Sequence, residues 1–157
     1  MKVGRITCSD RASAGVYEDK GGPEIERVVT SIWPEPVEFV ARIIADEVWE
    51  IEAALRHLAD VEGCPLIITT GGTGFAKRDV TVEATLAVIE KELPGFGEMM
   101  RSISFAVAPT SILSRATAGV RARSLIINLP GNPKAIAQCL PPLLPAIREA
   151  LRHLGEV

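Results

Sequence analysis

Glycine is concentrated in one short segment of this 157-residue chain, and the backbone there could bind an anion. Residues 71–74, Gly-Gly-Thr-Gly, directly follow the apolar run Pro65–Thr70, which has the pattern of a strand buried on both faces. Glycine adopts positive φ readily, so successive N–H groups can converge on phosphate or carboxylate oxygens. The segment lacks the GxxxxGK[ST] pattern of a P-loop, and Lys77 stands where the third glycine of GxGxxG would be. We therefore predict an anion site, with a tight strand-to-helix turn as the alternative.

Charged residues near this segment fit a polyphosphate and a divalent cation. Lys77 and Arg78 follow the glycines and could neutralise phosphate charge. Asp79 comes next, and Asp46 follows the second predicted strand. Proteins usually hold Mg²⁺ through one or two carboxylates together with substrate phosphates, so both aspartates are candidate ligands. Each could instead begin a helix, where an acidic side chain caps the first turn or interacts favourably with the helix dipole.

Two further segments place polar groups after predicted strands. Ser9 and Asp10 follow the first strand, and residues 128–134, Asn-Leu-Pro-Gly-Asn-Pro-Lys, follow the last one. In the second segment glycine permits a close approach and the lysine could reach a phosphate, although a proline-stiffened turn into a helix is equally consistent. Three polar residues between a predicted helix and strand are typical of an ordinary loop: Ser111, Ser114 and Arg115.

Strand and helix patterns alternate along the chain. The strand patterns are Val3–Cys8, Val37–Ala45, Pro65–Thr70, Ala118–Arg121 and Ser124–Leu129. Helical spacing of apolar residues covers Ile25–Ile32, Val48–Leu58, Thr81–Leu93 and Phe96–Val107, with a final helix from Lys134 that we expect to break at Pro141-Pro142. This alternation predicts one α/β domain over residues 1–157, with three α/β/α layers around a mostly parallel sheet.

The strand ends carry the chemistry in this arrangement. In an open parallel sheet, ligands bind beyond the carboxyl ends of the strands. Four segments rich in glycine, hydroxyl, amide or carboxylate groups begin at these ends, namely at Ser9, Asp46, Thr70 and Asn128. We therefore expect them to meet in one crevice.

Composition excludes several classes of function. The net charge of −3 and pI near 5.5 argue against bulk nucleic-acid binding, which needs a positive field. The apolar runs are shorter than the roughly 18 residues that a membrane span needs. Cys8, Cys64 and Cys139 form no CxxC pair, as expected for reduced thiols in a cytoplasmic protein. Neither His57 nor His153 has a partner that would make it a convincing general base.

Taken in order, the motifs resemble those of the molybdopterin-binding family of molybdenum cofactor biosynthesis. The shared stretches are 9–21 (SDRASAGVYEDKG), 69–74 (TTGGTG), 78–81 (RDVT), 83–85 (EAT), 94–98 (PGFGE), 100–101 (MR), 112–115 (ILSR) and 128–134 (NLPGNPK). They extend through almost the whole chain. Residues 17–21 and 78–81 favour the adenylyltransferase branch of this family.

The resemblance implies a homotrimer that transfers AMP from Mg-ATP to the terminal phosphate of molybdopterin and releases pyrophosphate. A molybdate-insertion protein would receive the product. Two aspartates that the family needs for catalysis match Asp46 and Asp79, which would also hold magnesium. The candidate substrate-binding residues are Ser9, Asp10, Thr70, Gly71, Gly72, Thr73, Gly74, Lys77, Arg78, Ser114, Asn128, Pro130, Gly131, Asn132 and Lys134. A molybdopterin carrier without ATP chemistry and a trimeric scaffold are the alternatives.

Overall fold

Six strands form one mixed sheet in the computed structural model, which describes residues 1–155. The strands are β1 (Lys2–Cys8), β2 (Glu38–Ile44), β3 (Leu66–Thr70), β4 (Lys91–Glu92), β5 (Ala118–Arg121) and β6 (Ser124–Leu129). Their order is β2-β1-β3-β6-β5-β4. The first four strands in that order are parallel, whereas β5 pairs antiparallel with both β6 and β4. The predicted, mostly parallel sheet is confirmed.

Helices cover both faces of the sheet, as expected for a three-layer α/β/α fold. They are α1 (Asp10–Ser13), α2 (Gly21–Ile32), α3 (Val48–Arg56), α4 (Thr81–Val88), α5 (Gly95–Phe105) and α6 (Pro133–His153). A short π-helical segment, His57–Val61, extends α3, and a 3₁₀ helix, Pro109–Leu113, follows α5. One core lies between the sheet and α2, α5 and α6, and a second lies between the sheet and α3 and α4.

The central strands are apolar on both faces because both faces are covered. Ile68 and Ile127 of β3 and β6 belong to the core beneath α2, α5 and α6. Their neighbours Ile67 and Ile126 belong to the core beneath α3 and α4. Side chains alternate between the faces of a strand, so a continuous apolar run is the pattern that two covered faces require.

The helix predicted over Thr81–Leu93 is shorter than its apolar spacing indicates. It ends at Val88, and the chain then forms β4, where the N–H groups of Glu90 and Leu93 donate to carbonyl oxygens on β5. Leu86, which follows Val82 by four residues and would share its helix face, is 45% exposed, whereas Val82 is buried. Pairing with β5 therefore takes precedence over a pattern that would have continued the helix.

The final helix does not break at Pro141-Pro142. Helix α6 continues through Pro141, Pro142 and Pro145 to His153. Proline removes a helical N–H and normally costs about 3 kcal/mol in a helix interior. The apolar face of α6 is buried in the core on both sides of these prolines, and this packing compensates for the lost hydrogen bonds.

The order of the strands creates a topological switch beside β1. The chain passes from β1 to β2 on one side and then to β3 on the other. Connections that leave adjacent strands in opposite directions open a crevice at their carboxyl ends. That crevice lies at Cys8 and Thr70, directly before Ser9 and Gly71. Within residues 1–155, no helix combines the length and apolar character needed to cross a bilayer.

Candidate active site

The loop after β3 has a backbone conformation that glycine alone adopts without strain. Gly71 and Gly72 have φ values of +91° and +65°. A Cβ atom on Gly71 would overlap the Cys8 carbonyl oxygen, and one on Gly72 would overlap the Thr81 hydroxyl. The glycines therefore let the loop pass very close to β1 and α4. A tight strand-to-helix turn and an anion site both need this conformation, so the anion site stays a prediction.

The loop after β6 packs directly against this glycine loop. Thr70 Oγ1 donates a 2.9 Å hydrogen bond to the carbonyl oxygen of Pro130. The N–H of Gly71 donates to the carbonyl of Leu129 at 3.3 Å. A Cβ atom on Gly131 would lie 3.5 Å from the Gly71 Cα atom, so the two backbones are in contact. Two of the predicted strand-end segments thus form a single wall.

Cavities lie on either side of this wall. The larger one has a volume of about 590 Å³ and is bordered by Thr73, Gly74 and Asp79 and by residues of α5 and α6. The smaller one, about 160 Å³, is bordered by Ser9, Thr70 and Gly71 and by the start of α2.

Residues 130–134 alternate between the two cavities. Pro130, Asn132 and Lys134 border the larger cavity, whereas Gly131 and Pro133 border the smaller one. The Asn132 side chain also caps α6, because its Oδ1 accepts from the N–H of Lys134 at 3.0 Å.

Asp46 is held by Asp10 through two reciprocal hydrogen bonds. The N–H of Asp10 donates to Asp46 Oδ2 at 2.9 Å, and the N–H of Asp46 donates to Asp10 Oδ1 at 3.0 Å. Asp46 does not cap α3, whose N-cap position is Glu47. Asp46 Oδ1 is buried and finds no hydrogen-bond partner within residues 1–155. Partial burial raises the pKa of this carboxyl, so its charged form needs a cationic or hydrogen-bonding partner.

Asp79 lies against the other end of the same glycine loop. Its Oδ2 accepts a 2.9 Å hydrogen bond from the N–H of Ala76, which closes a turn, and its side chain borders the larger cavity. A Cβ atom on Gly74 would lie 2.7 Å from Asp79 Oδ2, and one on Gly72 would lie 3.4 Å from Asp46 Oδ1. The two aspartates therefore flank one four-residue loop. They do not lie on opposite sides of the molecule.

Arg78 contacts two acidic residues at the neighbouring strand ends. It donates to both carboxylate oxygens of Asp10 at 2.9 Å and to Glu47 Oε1 at 2.9 Å. The bond from Arg78 lowers the pKa of Asp10. Arg78 and Asp10, both predicted to bind substrate, are thus bonded to each other. Lys77 and Lys134 are exposed cations near the same edge.

Asn128 and Ser114 occupy supporting positions. Asn128 is fully buried in β6, and its side-chain nitrogen donates to the hydroxyls of Thr69 at 3.0 Å and Thr85 at 2.8 Å. Ser114 borders the larger cavity, and its carbonyl accepts from Arg101. Contact between substrate and Asn128 stays a prediction, because this side chain borders neither of the two cavities.

Arg115 is the residue at the site that sequence reasoning missed. We interpreted it as part of an ordinary loop, yet its guanidinium donates to the carbonyl oxygens of Gly74 and Asp79 and pairs with Glu83. The motif ILSR carries no periodicity or ligand pattern that indicates these contacts. Only the position of Arg115 in the fold, opposite the glycine loop, reveals them.

Comparison with known proteins gives consistent results. Residues 4–149 match the family described as a probable molybdopterin binding domain. The molybdopterin adenylyltransferase of Haemophilus influenzae is 52% identical over 140 residues, covering 89% of this chain and 71% of that protein. Its counterpart in Helicobacter pylori is 52% identical over 147 residues, covering 94% and 84%. The solved structure of the molybdopterin biosynthesis enzyme MoaB from Thermus thermophilus superposes with a TM-score of 0.89 at 40% identity, covering 99% and 97%. The match over residues 4–149, the sequence identity and the shared fold together place this chain in the molybdopterin-binding domain family.

Proposed function

We propose that this chain is a molybdopterin adenylyltransferase, a nucleotidyltransferase that uses ATP. The observation that carries the proposal is the meeting of the strand-end segments around one glycine loop, with Asp46 and Asp79 against the two ends of that loop. For direct transfer, the reacting ends of the two ligands would have to meet at the rim of the wall between the two cavities, about 3–3.5 Å apart. The names of the relatives that are 52% identical support the same reaction.

The reaction needs alignment and charge neutralisation more than proton transfer. An oxygen of the terminal phosphate of molybdopterin attacks the α-phosphorus of ATP. The new P–O bond forms as the bond from that phosphorus to the oxygen of the departing pyrophosphate breaks. The attacking oxygen is already anionic, so no histidine base is required. This agrees with a site that is rich in backbone N–H groups and cations.

Asp46 and Asp79 have the chemistry that a magnesium ion requires. Asp46 Oδ1 is a buried oxygen without a partner in residues 1–155, and Asp79 Oδ1 stays outside the hydrogen bond to Ala76. When bound, Mg²⁺ would neutralise charge on the triphosphate. No group of three or more His, Cys, Asp or Glu side chains in the described part of the chain could hold a metal, so phosphate oxygens and water would complete its coordination.

The remaining site residues fall into two groups, those that would bind the pterin or its phosphate and those that would neutralise phosphate charge. The Gly71 N–H already donates to Leu129, so the backbone N–H groups of residues 72–74 and the Thr73 hydroxyl would hold the pterin or its phosphate. Lys77, Arg78 and Lys134 would neutralise phosphate charge. Arg78 would exchange its bonds to Asp10 and Glu47 for bonds to phosphate. The wider proposed substrate-binding set is Ser9, Asp10, Thr70, Ser114, Asn128, Pro130, Gly131 and Asn132.

The purified chain is expected to release one pyrophosphate for each molybdopterin that gains AMP. The assay combines molybdopterin, ATP and MgCl₂ and follows pyrophosphate enzymatically and adenylylated product by mass spectrometry. Omitting molybdopterin is the matched control and should leave ATP intact. Molybdopterin binding without ATP-dependent pyrophosphate release would instead identify a carrier and overturn the proposal.

We also propose that the chain assembles as a homotrimer. Large apolar side chains that a monomer exposes support association, including Trp49 at 68%, Val107 at 70% and Ile112 at 62% exposure. Sedimentation equilibrium at micromolar concentration is expected to give three times the chain mass of 16.8 kDa. A monomer at that concentration would contradict this assembly.

We propose that a molybdate-insertion protein takes up the product of this reaction. We also propose that the enzyme acts in the cytoplasm. The family resemblance supports the first assignment. The free, buried thiols of Cys8, Cys64 and Cys139 support a reducing compartment.

A further inference from the structure

Arg115 bonds to both ends of the segment that carries Asp79. Its N–H donates to the Thr73 carbonyl at 2.8 Å, and its Nε donates to the Gly74 carbonyl at 2.6 Å. Its Nη2 donates to the Asp79 carbonyl at 3.0 Å. One residue therefore holds the beginning and the end of segment 73–79.

Glu83 keeps the Arg115 guanidinium in place. The carboxylate pairs with Nη1 of Arg115 and accepts a second bond from Nη2 at 3.3 Å. This pairing lowers the pKa of Glu83, so the carboxylate stays ionised. Since Glu83 lies in α4, the arginine connects segment 73–79 to a helix that packs against the sheet.

The segment has few other connections. Within it, the N–H of Ala76 bonds to Asp79 Oδ2 and the N–H of Asp79 bonds to the Ala76 carbonyl. Phe75 in its middle is 73% exposed, and Lys77 and Arg78 are exposed as well. Internal bonds fix the shape of a turn but not its orientation. Arg115, together with the outward-reaching Arg78, supplies that orientation.

We propose that Arg115 is a positioning residue that sets where the Asp79 carboxylate lies relative to the cavity, with Glu83 orienting the guanidinium. This inference rests on the proposed function for its catalytic consequence. Lysine cannot replace arginine here, because a single ammonium cannot reach two carbonyls and a carboxylate in the same fixed geometry. A displacement of about 1 Å at a reacting centre can lower the rate by up to about 100-fold.

The test compares Arg115→Lys with the matched variant Arg121→Lys. Arg121 also bonds to a carboxylate, that of Asp60, and to a backbone carbonyl, that of Val88. It pairs with Ser124 at the opposite edge of the sheet. Both substitutions keep the charge and the number of trypsin sites.

Two readouts are measured on each variant. The first is kcat and KM for AMP transfer. The second is the rate of limited trypsin cleavage after Lys77 and Arg78, which reports the order of the segment and needs no substrate. For Arg115→Lys we expect kcat to fall about 10- to 100-fold with KM within about threefold of wild type, and cleavage to accelerate at least about fivefold. Arg121→Lys should match wild type in both.

Wild-type kcat or an unchanged cleavage rate in Arg115→Lys would overturn the inference. If Arg115→Lys loses its cooperative melting transition, Glu83→Gln is measured in the same way, and it too must accelerate cleavage. If the wild-type chain transfers no AMP, the proposed function fails, while the cleavage rates still decide whether Arg115 orders the segment.

Discussion

Asp79→Asn is expected to lower kcat for AMP transfer by at least about 100-fold while leaving the fold intact. Asparagine is nearly the same size, and its side-chain oxygen can still accept the hydrogen bond from the N–H of Ala76. The turn should therefore persist. What is lost is the negative charge that would hold a cation against the triphosphate. Pyrophosphate release under saturating ATP and molybdopterin measures the effect.

The matched control for this variant is Asp60→Asn. Asp60 is also a carboxylate engaged by a neighbour, Arg121, but it lies at the opposite edge of the sheet. It should keep wild-type turnover. Thermal melting and calorimetric titration with molybdopterin should show near wild-type values for Asp79→Asn. Wild-type turnover in Asp79→Asn would remove this carboxylate from the mechanism.

Gly71→Ala is expected to cost about 2–5 kcal/mol of unfolding free energy. A residue with a side chain at φ of +91° is strained by roughly 1–2 kcal/mol. The new methyl would also overlap the Cys8 carbonyl, and overpacking of this kind adds about 1–3 kcal/mol. A backbone atom of a central strand cannot rotate away as a side chain can. Urea denaturation of both proteins measures the difference.

Gly63→Ala separates the two contributions. Gly63 has a φ of +62°, yet a Cβ atom added there would meet no other atom within 4 Å. This variant should lose only the roughly 1–2 kcal/mol of backbone strain. Equal losses in the two variants would show that β1 yields to the added methyl and that close contact at Gly71 is not required.

The layers of the fold follow from apolar patterns that the chain carries locally. Strand β3 is buried along its whole length because helices cover both of its faces, and residues 65–70 accordingly contain no charged side chain. Strand β4 was not predictable in the same way. It has two exposed residues and exists because β5 lies beside it, so its stability comes from a contact distant in sequence.

Helix α6 shows the reverse case. Local chemistry at Pro141-Pro142 predicts a break, but the break does not occur, because burial of the helix on either side outweighs the lost hydrogen bonds. Propensity is a weak guide wherever tertiary packing is extensive.

The location of the candidate site was predictable because the carboxyl ends of neighbouring parallel strands lie at the same edge of the sheet. Glycine, hydroxyl and carboxylate residues after β1, β2, β3 and β6 do lie at one edge of the sheet. The partner of each side chain was not predictable. Asp46 is bonded to Asp10 and does not cap a helix, and the amide of Asn128 is used by two threonines. Arg115 acts through backbone carbonyls, which every residue type possesses, so no sequence pattern marks its targets.

The two edge strands of the sheet, β4 and β2, differ in how readily a strand from another chain could pair with them. β4 ends one border after two residues, too few for a foreign chain to add to it as a further strand. The other border, β2, is seven residues long and partly exposed. Glu38 and Arg42 place charges on it, which disfavours stacking of identical copies. Of these two borders, β2 alone is long enough for strand addition, and its charged side chains oppose that addition.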